Sequence, residues 1–280
     1  MSLTPARPGC IAFLLALFAC APAAPAPAGP VPVPAGIDHA EWTRLLRAYV
    51  DERGLVDYAA WKASARDRAE LRAYLARLAA PPERPAQGQE AAATFINAYN
   101  ALTVSWILDH YPTPSIRSLP DSFGAARHLL GGARVSLDDL EHKTLRPAVG
   151  YRVHAALVCA ARSCPPLARE AFTAGSLDTE LDAAMARWLA RDDLNRYEPA
   201  AGRAHLSSIF KWFAEDFEKG GGVAAVLNRH GPEAARATAA QAGFKVEHLD
   251  YDWGLNDQQP PAASYGSLRL LWDQLRDQLR

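Results

Sequence analysis

Residues 90–110 form the longest and most apolar helical pattern in the chain. The large apolar side chains recur at helical spacing and are Phe95, Ile96, Tyr99, Leu102, Trp106 and Ile107. The pattern ends before Tyr111-Pro112, because a proline disfavours helical backbone in the residue that precedes it. We therefore predict a central, buried helix around which the rest of the chain must pack.

Two asparagines lie inside this apolar pattern. Asn97 and Asn100 are three residues apart, so both amides face one side of the helix. A buried amide needs hydrogen-bond partners. We expect these amides to hold a neighbouring loop, and the alternative is that they line a site.

The remaining elements follow from periodicity. Apolar residues at helical spacing predict helices over residues 41–50, 66–79, 137–146, 177–190, 208–218, 223–230 and 233–242. Residues 153–158 are short and apolar, which is typical of a buried strand, and residues 244–250 alternate as a strand does. The predicted fold is α+β, a mainly helical single domain over residues 37–258 that is packed around a small β-sheet.

The composition excludes several classes of function. The 280 residues carry a formal net charge of -1, with no basic stretch of the kind that binds phosphate backbones. We therefore expect no nucleic-acid partner. No glycine-rich phosphate loop and no H-E-x-x-H motif occurs in the sequence, and we predict no cofactor and no resident metal.

The first residues have the character of an export signal. Arg7 precedes an apolar run over residues 11–18, and Leu17-Phe-Ala-Cys20 resembles the lipobox of bacterial lipoproteins. We predict a signal peptide over residues 1–20, an Ala/Pro-rich tether over 21–36 and an amphipathic helix in the tail, 259–280. The expected location is the periplasm or the outer membrane, with membrane contact only through a lipid on Cys20. Simple secretion is the alternative.

Reactive residue types cluster after the predicted strand at 153–158. His154, Cys159 and Cys164 lie within eleven residues, and Cys164 is followed by two prolines that cannot continue a sheet. In an oxidising compartment two cysteines are expected to form a disulfide. The preceding helix presents Glu141 and His142, which are about 100° apart on a helix and so need separate partners.

These residues belong to a wider pattern. Its blocks are Phe95-Ile-Asn-Ala-Tyr-Asn-Ala-Leu-Thr103, Ser136-Leu-Asp-Asp-Leu-Glu-His142 with Leu145-Arg146, His154 to Pro166, Ser208-Ile-Phe-Lys-Trp212 with Asp216-Phe217, and Tyr251-Asp-Trp253 with Leu255-Asn256. Over residues 38–257 the chain resembles the domain-of-unknown-function family number 547. The resemblance implies no assigned activity, and it leaves binding as open as catalysis. Plant members resemble this pattern with serine in place of Cys164, which implies that a disulfide is not general to the family.

The first functional hypothesis is a cysteine-dependent hydrolase or acyltransferase. Cys159 would be the nucleophile. On a continuous strand His154 would point to the face opposite Cys159, which makes His142 the better base. The supporting residues in this hypothesis are His154, Glu141 and Asn97, with Asn100, Cys164 and Arg146 as further members of the site.

The alternative is a non-catalytic envelope binding module in which Cys159 and Cys164 form a structural disulfide. So short a loop adds about 2 kcal/mol to stability on the chain-entropy estimate. The partner would be a small molecule, a peptide or a component of the envelope. A metal site on His142, His154 and the two cysteines is disfavoured, because the spacing lacks the C-x2-C knuckle of structural zinc.

Overall fold

The computed structural model describes residues 31–259. The predicted signal peptide, Cys20 and the predicted tail helix lie outside this part of the chain. Helices occupy Ala40–Tyr49 (α1), Tyr58–Ala63 (α2), Ala65–Ala79 (α3), Gly88–His110 (α4), Leu137–Asp139 (α5), Arg146–Val149 (α6), Val153–Ala156 (α7), Leu177–Leu189 (α8), Ile209–Trp212 (α9), Ala214–Lys219 (α10), Gly222–His230 (α11) and Glu233–Ala239 (α12). Short 3-10 turns occupy Ile116–Ser118, Gly150–Arg152 and Pro199–Ala201.

Helix α4 is the centre of the molecule. Every residue from 92 to 104 is buried, so the helix is enclosed on all sides rather than along one stripe. It contacts α3, α2 and the turn that follows α5. The prediction of a buried central helix is confirmed.

The strands form two small sheets. They are His128–Leu130 (β1), Ala133–Val135 (β2), Arg196–Glu198 (β3), Arg203–Ser207 (β4) and Lys245–Leu249 (β5). β1 and β2 form a hairpin, and the second sheet has the order β3-β4-β5, with β4 parallel to β5. A mainly helical α+β fold is thus confirmed, and β5 matches the strand predicted over 244–250.

The strand predicted over residues 153–158 was wrong. Val153–Ala156 is a helical turn, and the backbone becomes extended only at Leu157. A short apolar run does not distinguish a buried strand from a buried helix, and two alanines favour the helix. His154 and Cys159 therefore do not lie on opposite faces of one strand.

The helix predicted over 137–146 extends to Val149 and contains a π-helical turn at Leu140–Leu145. The backbone N–H of Arg146 donates to the carbonyl of Glu141, five residues back. Turns of this kind occur mostly as single insertions within α-helices, often at functional sites.

The first described residues pack against the domain. Val31 and Val33 are buried, and the backbone of Ala35 donates to the carbonyl of Arg84. At Gly131 a side chain is excluded, because its Cβ would lie 1.7 Å from the carbonyl oxygen of Pro32. Part of the segment predicted as a tether is therefore fixed on the domain.

The end of the described chain returns to the middle of the molecule. We call residues 251–258 the C-terminal strap. Its backbone pairs with Val56 near the N-terminus and with residues 160–163. No helix within residues 31–259 is both long and apolar enough to cross a membrane.

Candidate functional site

A cavity of about 430 Å³ lies beside α4, between the π-helical turn, α7 and the C-terminal strap. Its polar and ionisable walls include Tyr99, Asp138, Glu141, His142, His154 and Tyr251. Its apolar walls include Phe123, Leu157, Ile209, Trp212, Phe213 and Trp253. Both cysteines of the domain also line it. The structure thus gathers Cys159, Cys164, Glu141, His142 and His154 at one cavity.

The two cysteines form a disulfide. The hydroxyl of Tyr251 lies 3.2 Å from both sulfurs and shares its one proton between them. The backbone N–H of Cys159 also donates to Sγ of Cys164 at 3.0 Å. Ala160 follows with a φ of 58°, a left-handed conformation that costs an alanine on the order of 1 kcal/mol. We call residues 159–164 the disulfide loop.

The histidine nearest to this loop in sequence has an acidic partner. His154 Nε2 lies 2.8 Å from Oδ2 of Asp216, and its ring stacks on Phe213 with centroids 4.0 Å apart. Burial lowers the pKa of His154 to about 4, although Asp216 acts in the opposite direction. The imidazole is therefore neutral at neutral pH. Phe213 sits at the break between α9 and α10, where the helix predicted over 208–218 is interrupted.

Asp216 is held from its other side by Arg146. The guanidinium makes a fork: Nε donates to Oδ2 at 2.6 Å and Nη2 donates to Oδ1 at 3.0 Å. Burial alone would raise the pKa of Asp216, but the hydrogen bonds from Arg146 and His154 lower it. The carboxylate is thus ionised and fixed in orientation.

Glu141 and His142 have different partners, although they are adjacent. Burial raises the pKa of Glu141 to about 7, and this shift is opposed by Tyr99, whose hydroxyl donates to its Oε2 at 3.3 Å. Nδ1 of His142 accepts from Nη1 of Arg146 at 2.9 Å. Burial lowers the pKa of His142, and the charge of Arg146 lowers it further.

The two asparagines do not line the cavity, and both bind backbone. Asn97 donates to the carbonyl of Phe172 at 2.8 Å and accepts from its N–H at 2.9 Å. Asn100 does the same with the carbonyl of Ala156 and the N–H of Val158. Asn97 therefore does not support the histidines directly, because its amide binds the backbone of a different loop. The interpretation that these amides tie down loops is confirmed.

Sequence reasoning assigned no role to Asp216, Tyr251, Trp212 or Trp253. All four lie in blocks of the family pattern, so a signal was present. Asp216 is 62 residues from His154 and Tyr251 is 92 residues from Cys159, however, and nothing in the sequence shows that these pairs are in contact. Within residues 31–259 no group of three His, Cys, Asp or Glu side chains is arranged to hold a metal ion.

A family model described as "Protein of unknown function, DUF547" matches residues 84–189. Residues 84–189 are therefore similar to the DUF547 family. No curated protein and no solved structure matches the chain. The DUF547 match is shorter than the resemblance over residues 38–257. It includes Glu141, His154 and both cysteines of the disulfide, but it ends before Asp216 and Tyr251.

Proposed function

We propose that the cavity is the active site of a cysteine-dependent hydrolase or acyltransferase that works with Cys159 in the reduced state. The observation that supports this proposal is that Cys159 lines the same cavity as a histidine held by a carboxylate. Nucleophile, base and orienting carboxylate are the three parts that activate a cysteine or serine in unrelated folds.

In this proposal His154 is the base. Its Nε2 is bound to Asp216, which leaves Nδ1 as the ring nitrogen that takes the proton from the Cys159 thiol. The carboxylate then stabilises the imidazolium. His142 is less suited to this role than the sequence indicated, because its ring nitrogen faces the Arg146 guanidinium, which opposes protonation.

The covalent step follows from these roles. The Cys159 thiolate attacks a carbonyl carbon, and the leaving group takes the proton from His154 as the carbon–oxygen or carbon–nitrogen bond breaks. Water or another acceptor then removes the acyl group from the sulfur. Glu141 carries a proton for much of the time at neutral pH, so it can donate a hydrogen bond to the oxygen that becomes negative.

The test is alkylation of the reduced protein with iodoacetamide across pH, read by mass spectrometry. Cys159 should react well below the pKa of about 8.5 of a free thiol. His154→Ala should remove this low-pH reactivity, whereas His205→Ala should not, since His205 pairs with Glu198 away from the cavity. If the low-pH reactivity is kept in His154→Ala but lost in His142→Ala, His142 is the base. If Cys159 of the wild-type protein reacts like a free thiol, the proposal is refuted.

A non-catalytic binding module is the second candidate, and the closed disulfide favours it. A cavity with Trp212 stacked near Trp253, with ring centroids 5.9 Å apart, offers flat apolar walls to a small molecule, a peptide or an envelope component. A disulfide that resists reduction, together with no activated thiol after forced reduction, would support this role and exclude the hydrolase.

We also propose that the protein is exported, with Cys20 as a lipid attachment site. The support is the residue pattern at positions 7–20. Palmitate labelling should be lost in Cys20→Ala. Labelling that persists in this variant would exclude the lipobox, and absence of the protein from the membrane, periplasmic and medium fractions alike would exclude export.

A further inference from the structure

The two sulfurs of the disulfide differ in their environment. Cys164 is buried, with 5% of its surface exposed, whereas Cys159 is half-buried at the cavity wall. A thiol that enters the cavity therefore reaches Cys159 more easily. In thiol–disulfide exchange the attacked sulfur forms the new bond and the other sulfur leaves as a thiolate.

The hydrogen bonds favour Cys164 as the leaving sulfur. Its Sγ accepts from the backbone N–H of Cys159 at 3.0 Å and from the hydroxyl of Tyr251 at 3.2 Å, whereas Sγ of Cys159 accepts from Tyr251 at 3.2 Å. Hydrogen bonds to a charged group favour the charged form. A thiolate stabilised in this way leaves faster and makes the disulfide more oxidising.

The disulfide loop is anchored independently of its sulfurs. The N–H of Arg162 donates to the carbonyl of Gly254, and the N–H of Ser163 donates to the carbonyl of Asp252. Ser163 also accepts from the N–H of Asp252 through its hydroxyl at 2.8 Å. None of these bonds involves a sulfur atom, so opening the disulfide does not itself remove them.

We propose that the Cys159–Cys164 disulfide is redox-active and takes electrons from small thiols in the cavity. A thiolate attacks Sγ of Cys159, the Cys159–Cys164 bond breaks, and Cys164 leaves as a thiolate beside Tyr251. The first thiol is now bound to Cys159 in a mixed disulfide, and a second small thiolate attacks the sulfur of that bound thiol. The bond to Cys159 breaks, the two small thiols leave as one disulfide, and Cys159 remains as a thiolate. The protein gains two electrons, two thiols lose them, and the two protein thiolates take up the protons.

This activity goes beyond the proposed hydrolysis and does not require it. Its ligands are low-molecular-weight thiols, and their reaction with the disulfide produces the reduced Cys159 that hydrolysis needs. Its readout is the state of the sulfurs, so the two proposals fail separately.

The first experiment is a redox titration of the full-length protein with glutathione and glutathione disulfide, read by alkylation and mass spectrometry. Tyr251→Phe should be reduced about tenfold more slowly and should shift the equilibrium about tenfold towards the disulfide, which corresponds to about 30 mV. Tyr197→Phe is the matched control, because its hydroxyl donates to the carbonyl of Leu189 and not to sulfur. Equal values for the two variants would overturn the role of Tyr251, and a disulfide that glutathione does not reduce would overturn the proposal.

The second experiment identifies the attacked sulfur and does not depend on Tyr251. With glutathione disulfide, Cys164→Ser should form a mixed disulfide at Cys159 rapidly. Cys159→Ser should form one at Cys164 at least tenfold more slowly, because Cys164 is buried. Equal rates, or the reverse order, would contradict the assignment of Cys159 as the exchanging sulfur.

Discussion

Asp216 binds Arg146 and His154, which lie 70 and 62 residues before it in the sequence. It accepts two hydrogen bonds from Arg146 and one from His154, while Arg146 also donates to His142. Both histidines of the cavity are therefore oriented through a single carboxylate and the guanidinium bound to it. The orientation depends on the position of α10, which carries Asp216, beside α6 and α7.

Replacing Asp216 with alanine should destabilise the protein by about 3 kcal/mol, since removal of one partner leaves the charge of Arg146 only partly solvated. The measurement is urea unfolding. Asp193→Ala is the matched control, because Asp193 pairs with Arg53 and Arg191 at the surface, where such pairs contribute less than about 1 kcal/mol. Similar losses in the two variants would contradict the central role of Asp216.

Glu141 should make stability depend on pH. Its pKa rises from 4.5 to about 7 on folding, so between these values the folded protein holds more protons than the unfolded chain, and stability falls as pH rises. Glu141→Gln removes this dependence. The variant should gain up to about 3 kcal/mol relative to the wild type between pH 4.5 and pH 7, with no further gain above.

The measurement for Glu141 is the denaturation midpoint in urea at several pH values. The exposed Glu218→Gln is the control and should follow the wild-type curve. If Glu141→Gln also follows the wild-type curve, its carboxyl is not enclosed in the folded protein.

At the scale of elements, α4 holds two loops through two amides on one side. Asn97 binds the backbone of Phe172, and Asn100 binds the backbone on both sides of Leu157, directly before the disulfide loop. The same chemistry thus fixes one loop at the cavity and one loop away from it. Substituting each asparagine in turn therefore separates an effect on the stability of the fold from an effect on the geometry of the cavity.

Asn97→Ala and Asn100→Ala should each cost roughly 3 kcal/mol, because each leaves a buried backbone N–H and a buried carbonyl without a partner. Only Asn100→Ala should change the rate at which glutathione reduces the disulfide, since Val158 is adjacent to Cys159. Thermal unfolding and the alkylation assay measure the two effects. A change in reduction rate in Asn97→Ala of the same size would show that the rate follows stability alone.

Periodicity predicted the elements whose pattern fits one kind of backbone. The apolar pattern of α4 runs over a helix of 23 residues, and β5 follows the alternation predicted over 244–250. Residues 153–158 were too short for this, and the three-residue strands β1, β2 and β3 carry almost no pattern. For the site, the sequence indicated the residue types near the cysteines, but Asp216 and Tyr251 reach it only through tertiary packing.

At the scale of the whole molecule, the folding unit is larger than the family match. The match covers residues 84–189, whereas Val56 pairs with the C-terminal strap and the hydroxyl of Tyr58 donates to Asn256 at 2.9 Å. Buried tryptophans of the core, Trp42 and Trp61, also lie before the match. Residues 84–189 alone would expose apolar faces that residues outside the family match cover in the folded protein.

A fragment of residues 84–189 should therefore lack a cooperative thermal transition, whereas a fragment of residues 31–259 should unfold in one step. Circular dichroism and calorimetry measure both. A sharp transition in the shorter fragment would show that the strap and the N-terminal helices are additions to an independent domain.

The C-terminal strap also sets an order of events during synthesis. Its contact with Val56 closes a loop of about two hundred residues, and contacts so distant in sequence form late and slowly. The two cysteines, five residues apart, leave the ribosome long before Tyr251 does. The sulfurs can therefore meet in a chain that has no hydroxyl beside them, and the disulfide gains its hydrogen bonds from Tyr251 only when the strap docks.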